Sequence, residues 1–247
     1  MKHLGPFFVR RLSLAAVLLL CTAGCAGNLS SALRDHRARA QRDARIAVVS
    51  FAINSSWEDP ESIARADSET LLMRERLEAG FSRSRAEVIT FSRFSESPAY
   101  RAVPTQPATE GIHVGSTAAG PLPVFGLPGN PQRRGELTAE VARQLAAAAD
   151  ADFIVSAVAE WGGSPNMSMS RVESWSASAR VFVSVYNRAG ERVAREVGVG
   201  ASSRTVPATG QRSFRVSGNI RPPDDRTIAF WREAIETAIR DVFEVES

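Results

Sequence analysis

Carboxylates are the groups in this chain spaced for acid–base chemistry. Glu58, Asp59 and Glu61 form one cluster, Asp150 and Asp152 a second, and Asp224 and Asp225 a third. Glycoside-type hydrolysis needs two such groups facing each other across a cleft, at about 5–10 Å. Each cluster falls where a helix is expected to begin or end, and acids there commonly cap the helix or meet solvent. Besides carboxylates, His and a Lys of shifted pKa carry protons at neutral pH. Lys2 is the one lysine in the sequence, so a phosphate-binding loop that needs lysine is excluded. No Gly-x-Ser-x-Gly elbow occurs. His36 and His113 share metal-ligand spacing with neither another histidine nor a cysteine. The expectation is a chain that is not an enzyme and holds no metal or cofactor. Trp57, Trp161, Trp175 and Trp231 suit a core or its rim. Trp161 beside Gly162 is a candidate binding contact, and so is Phe125.

A thiol with a different chemistry sits near the start. Lys2, Arg10 and Arg11 are cationic, and Leu12 to Cys21 is apolar apart from Ser13. That run is too short to cross about 30 Å of hydrocarbon as a helix. With its basic front and small residues behind, it reads as a signal peptide over residues 1–24. Thr22-Ala23-Gly24-Cys25 follows. This tetrapeptide resembles the lipobox of bacterial lipoproteins. The resemblance implies cleavage before Cys25, with Thr22, Ala23 and Gly24 as the peptidase motif and Cys25 carrying diacylglycerol as a thioether. Thr22 stands where that family usually has leucine. Ala26, in place of an Asp after the cysteine, implies by the same resemblance an outer-membrane anchor facing the periplasm. Each buried CH₂ contributes about 0.8 kcal/mol, so several acyl chains would make the anchor effectively permanent. The alternative is an ordinary secretory peptide cut near Ala23 or Ala26.

Loss of the leader changes the charge. Of 30 basic residues, Lys2, Arg10 and Arg11 leave with it, and the remaining 27 balance 27 acids. A near-neutral mature chain excludes a nucleic-acid binder on charge grounds. With Cys21 removed and Cys25 lipidated, no thiol remains for a disulfide, metal or nucleophile.

The elements that would position these groups follow in order. Residues 25–44 are polar and arginine-rich and read as a lipidated tether. Residues 45–247 read as a single domain. Ile46 to Phe51 is a strand buried on both faces. A helix over about 62–80 ends at Gly80, and Glu87 to Phe91 is a second strand. Residues 95–135 hold seven of 13 prolines and six of 17 glycines, so a long irregular excursion is expected there. Its Val114, Leu122, Val124, Phe125 and Leu127 are apolar enough to fold back. Leu137 to Ala149 is an amphipathic helix. Phe153 to Trp161 is a central strand, followed by a loop over 162–170. Val172 to Tyr186 alternates, with Trp175, Ala177, Ala179, Val181, Val183 and Val185 on one face. Asn187 to Gly190 is a hairpin turn. Arg192 to Ser202 returns with Val193, Val197 and Val199 on one face. Pro222 to Asp225 opens a final helix with Ile228, Trp231, Ile235, Ile239 and Val242 as its stripe. The fold class is α/β (α+β), a mixed sheet in the order β-α-β-loop-α-β-β-β-α with helices packed on it.

Three pieces in this order resemble a group of periplasmic lipoproteins with an anticodon-binding-like α/β domain. The group takes in the curli-secretion family, the TolB amino-terminal domain and the lipoprotein activators of peptidoglycan synthases. Arg45 to Phe51 matches the opening strand. Ala149-Asp150-Ala151-Asp152-Phe153-Ile154-Val155 matches the helix-to-strand motif, with Ala149 at its usual glycine. Val185 to Glu191 matches the hairpin, with Asn187 at its usual Asp. The resemblance implies a non-enzymatic envelope lipoprotein acting by protein–protein contact, with an envelope protein or a second copy as partner. A component of an outer-membrane secretion assembly is the second reading. It would require two amphipathic hairpins, and residues 172–202 supply one. A carboxylate-dependent peptidoglycan- or carbohydrate-active enzyme is the third.

Overall fold

The structure, a computed structural model, describes residues 29–54, 60–105, 112–117, 120–126, 135–168, 171–207 and 227–244. The elements are α1 (Leu29–Ala40), β1 (Arg45–Asn54), α2 (Pro60–Arg83), β2 (Glu87–Ile89), the short helices α3 (Phe91–Phe94) and α4 (Pro98–Arg101), and β3 (Ile112–His113). β4 (Ser116–Thr117), β5 (Gly120–Pro121), α5 (Ala139–Ala149), β6 (Phe153–Ser168), β7 (Arg171–Asn187), β8 (Arg192–Pro207) and α6 (Ile228–Phe243) complete the order. The main sheet runs β2-β1-β6-β7-β8, with β3 also pairing β1. β1 is parallel to β2 and β6, and the β6–β7 and β7–β8 pairs are antiparallel. The α/β mixed-sheet architecture is the one the sequence order indicates.

Helices cover both sheet faces. On one face α1, α2 and α6 enclose Ile46, Val48, Phe51, Val155, Val181, Val183, Leu77 and Ile235. On the other, α3, α4, α5 and the proline-rich chain enclose Val49, Ile154, Tyr100, Leu122, Phe125, Leu145 and Tyr186. The alternation read in β7 matches this arrangement, since Ala177, Ala179, Val181, Val183 and Val185 all enter the first core.

A bulge in β1 decides which of its residues enter which core. The register with β6 shifts between Val48 and Ser50. One extra residue inverts the alternation beyond it. Phe51 and Ile53 therefore join Ile46 and Val48 in the first core. Without the shift, Ser50 and Ala52 would take those places. Two buried side chains serve the carbonyls at the bulge. Arg74 Nη1 donates to the Val48 carbonyl (3.2 Å), and the Tyr100 hydroxyl donates to the Val49 carbonyl (2.8 Å).

Four sequence expectations are corrected. First, residues 29–44 are no free tether. α1 inserts Leu29 and Leu33 into the first core, because these leucines lie one helical turn apart on one stripe. Second, residues 162–168 are strand and not loop. β6 continues to Ser168, which pairs with Arg171. Third, Gly80 lies inside α2 and does not end it. A Cβ there would lie 2.2 Å from the Phe243 ring, so its role is close approach of α6. Fourth, Phe125 is buried among the rings of the second core, 5.2 Å from Tyr100, and is no surface contact. Leu122 and Val124 are buried with it, so this part of the 95–135 excursion folds back on the domain. Leu127 and the Pro222–Asp225 helix start lie outside the described residues.

The outer edge of the sheet is closed by α6. Gly198 and Gly200 of β8 bring the strand against the helix backbone. Asp241 Oδ2 accepts the Val199 N–H (2.8 Å) and Glu233 Oε1 the Ser203 N–H (3.1 Å). Eight residues of helix rise about 12 Å, and four residues of strand about 13 Å. The two acids thus match alternate outward amides of the edge strand.

Candidate functional site

α1 and the β7–β8 turn enclose an open cleft of about 510 Å³. Ser31, Asp35, His36 and Arg39 face it from α1, with Asp152, Arg188 and Arg192 opposite. The turn is built by Asn187, whose Oδ1 accepts from the Ala189 and Glu191 amides (both 3.0 Å). Gly190 closes it at φ 83°, where a Cβ would also strike the Ala139 carbonyl.

Ion pairs fix the helix that forms the other wall. Leu29 N–H donates to Glu196 Oε1 (3.0 Å) at its start. The Arg42 guanidinium binds both oxygens of Asp152 (2.6 and 2.7 Å) just past its end. The His36 ring stands edge-on to Phe153, with Nε2 3.5 Å from Asp152 Oδ2. Asp150 caps α5 in the left-handed conformation, φ 49°. Its carboxylate accepts from Arg45 (2.6 Å) and Arg188 (3.0 Å). Asp150 and Asp152 are thus each held by arginine, from different segments.

These partners set the protonation behaviour. Hydrogen bonding and charge from Arg45, with Arg188 adding to them, hold Asp150 below the ordinary carboxylate range. At Asp152 burial pushes upward most strongly, but Arg42, the Arg45 amide and His36 together outweigh it and the net direction is down. A carboxylate depressed in the folded state stabilises fully above its unfolded pKa, about 3.9 for Asp. That contribution is lost as pH falls through the lower folded value. Protection factors of the α1 amides, corrected for the intrinsic pH dependence of exchange, are therefore expected to fall on acidification below about pH 4, ahead of those in the β6–β7 core. Asp152→Asn should loosen α1 already at neutral pH and flatten its acid response. Unchanged α1 protection below that pH would contradict the assignment.

Chemically, the cleft offers guanidinium donors at Arg39 and Arg188 and a carboxylate at Asp35, while the His36 imidazole turns a buried Nε2 toward Asp152. This is a set for holding a polar ligand. Asp152, the acid beside the imidazole, is already committed to Arg42 and the Arg45 amide. Among the described residues, no three His, Cys, Asp or Glu side chains gather as a metal site. No described helix is long and apolar enough to cross a membrane.

The sequence-derived candidates are not brought together. Trp161 packs half-buried on the first core, while Phe125 lies in the second, across the sheet. Gly162 sits opposite Ser178, whose Oγ would lie 3.0 Å from an added Cβ. Glu160 pairs with Arg180 at 3.5 Å. Thr22, Ala23, Gly24, Cys25, Trp57, Glu58, Asp59, Asp224, Asp225 and the Glu61 side chain lie outside the described residues. His113 is buried in β3, 3.8 Å from Asp67 and away from the cleft. His36 and Arg39 were missed because their segment reads as tether. The Leu29, Leu33, His36 spacing is the signal that could have found them.

The fold defines an α/β domain with a mixed sheet covered on both faces and a polar cleft at one end. No protein-family model and no curated protein matches the chain. Among solved structures, the hypothetical protein CT253 from Chlamydia trachomatis is similar, at 15% identity and a TM-score of 0.36. The match covers 81% of this chain and 91% of that one.

Proposed function

We propose that this chain is a non-enzymatic envelope lipoprotein, anchored through Cys25 in the outer membrane and facing the periplasm. It works by protein–protein contact and takes a polar segment of an envelope partner into the cleft beneath α1. The observation that carries this reading is the division of labour around that cleft. Asp150 and Asp152 are held as structural anions by Arg45, Arg188 and Arg42, whereas Asp35 and Arg39 stand exposed at its mouth. Acids so paired stay ionised and are poor proton carriers at neutral pH. Exposed groups of both signs suit a polar segment of a partner.

The test is a photo-crosslinking residue in place of Arg39 in the full chain, expressed in cells. A discrete adduct with another envelope protein is expected, absent when the crosslinker replaces Ser68 on α2. No adduct at Arg39 despite normal protein levels would sink the reading. Adducts with further copies of the chain alone would favour the second reading, a component of a secretion assembly. One observation speaks for that alternative: β6 and β7 run to Ser168 and from Arg171, well past the Glu160 position where β1 ends.

A further inference from the structure

Two valines stand out on the surface. Among the described residues, Val197 and Val199 are the large apolar side chains left exposed, at 46% and 59%. They are two residues apart on β8, so they share a face. Phe182 lies directly across from Val197 on β7 and is half-buried on that same face. The three side chains form one apolar strip at the outer edge of the sheet.

Arginines rim this strip. Arg180 lies across from Val199, and Arg195 precedes Val197 on the same face. Each has an acidic neighbour, but the acid is the buried member of the pair. Arg180 is 63% exposed and its partner Glu160 only 15%. Glu136, which pairs with both Arg192 and Arg195, is buried as well. The surface therefore presents apolar side chains with cations around them. That combination suits the interface of a bilayer bearing anionic headgroups.

The chain itself says which surface is near. Leu29 N–H is bonded to Glu196 of β8, whose side chain is on the α1 side of the strand, the face opposite Val197 and Val199. Cys25 precedes Leu29 by four residues, a reach of at most about 14 Å even when fully extended. That reach is enough to pass from the α1 side around the end of the sheet, so acyl chains on Cys25 can enter a bilayer that lies against the far face of β8. We propose that the outer face of β8, centred on Val197 and Val199 with Arg180, Arg192 and Arg195 around them, docks on the membrane surface. This rests on the lipid-anchor reading above. The lipid fixes the protein to the bilayer, and the β8 face fixes its orientation, leaving one disposition of the cleft relative to the membrane.

A single introduced thiol tests this, because the mature chain has none besides Cys25. Val199→Cys, at an exposed site, is labelled with an environment-sensitive fluorophore in the full lipidated chain. Val197→Cys repeats the measurement one position along the face, and Ser68→Cys on α2 is the reference. The chains are incorporated in phosphatidylethanolamine–phosphatidylglycerol vesicles. Quenching by brominated lipid at 199 and 197 is expected to exceed that at 68 by at least about two-fold, with matching protection from iodide in the water. Exchange of phosphatidylglycerol for phosphatidylcholine should reduce the difference, because the arginine rim then lacks its anions. Equal, water-like behaviour of all three labels overturns the docking. So does protection at 199 that occurs in cells but not in vesicles, which would assign the face to a protein partner. The mass of the purified chain separates the two claims. Lipid on Cys25 with water-exposed labels leaves the anchor standing and removes the docking. Bilayer quenching without lipid removes the anchor and leaves the docking.

Discussion

Replacement of Arg74 by Ala is expected to remove about 3–5 kcal/mol of stability: about 1–3 for leaving the buried Val48 carbonyl without its donor and about 2 for the desolvated cation–π contact with Phe91. Arg74 lies in the interior with its guanidinium carbon 3.7 Å above the Phe91 ring. Burial depresses its pKa, opposed by Tyr100 and Glu78. Burial likewise raises Glu78, which accepts the Phe91 N–H (2.9 Å). Without the arginine, the Val48 carbonyl at the bulge would lose its donor, and Glu78 would keep the Phe91 N–H but lose a nearby positive charge. Urea unfolding of Arg74→Ala should show a lowered midpoint. Arg74→Met should recover only the packing part of the loss, because the Val48 carbonyl stays without its donor. Tyr100→Phe leaves the Val49 carbonyl unpaired and should cost less, about 1–3 kcal/mol. If Arg74→Ala unfolds with the parent's midpoint, the bulge does not depend on it.

The second large effect is expected at Gly198 and Gly200. A Cβ at Gly198 would lie 1.9 Å from the Ala238 carbonyl oxygen, and one at Gly200 would lie 2.0 Å from that of Ala234. These are backbone atoms of α6, so no rotamer change relieves them. Even Gly198→Ala must lift the helix from β8, and overpacking of this kind costs about 3 kcal/mol or more at its upper end. The melting temperature should fall, and Trp231, buried on α6, should become more exposed to aqueous quenchers. Gly162→Ala provides the contrast. There the added Cβ meets the Ser178 hydroxyl at 3.0 Å, a small side chain that can turn. Equal melting temperatures for Gly198→Ala and Gly162→Ala would mean that α6 does not lie as tightly on β8 as described.

Patterns of period were readable from the residues alone. The alternation in β7 identified its core face, and the Leu137 to Ala149 stripe identified α5, because both depend on local spacing. The hairpin was legible from Asn187 and Gly190. The bulge was not, because a strand buried on both faces has no apolar–polar alternation for an inserted residue to invert, even with Ser50 in the run. Nor was the far half of β6. Gly162, Gly163 and Pro165 read as a loop by local rules. Beyond Glu160, however, β6 has lost β1 as a neighbour and is itself an edge, where proline is tolerated. The cleft escaped for a third reason. Its wall is a polar helix whose docking rests on two leucines and on ion pairs to Asp152, a long-range partner that α1 itself does not announce. The acids Asp150 and Asp152 were singled out, but their arginine partners come from separate segments and could not be assigned from spacing.

The closure of β8 by α6 also sets an order in time. Pro207 ends the strand and Phe243 ends the helix whose Glu233 and Asp241 occupy its outward amides. The chain is delivered amino terminus first, so the strand is available before the helix that closes it. During that interval the amides of Val199 and Ser203 lack the carboxylates that later receive them. A neighbouring nascent chain in the same condition would present a matching edge. A chain caught before α6 docks is therefore expected to mispair through β8 more readily than the finished domain.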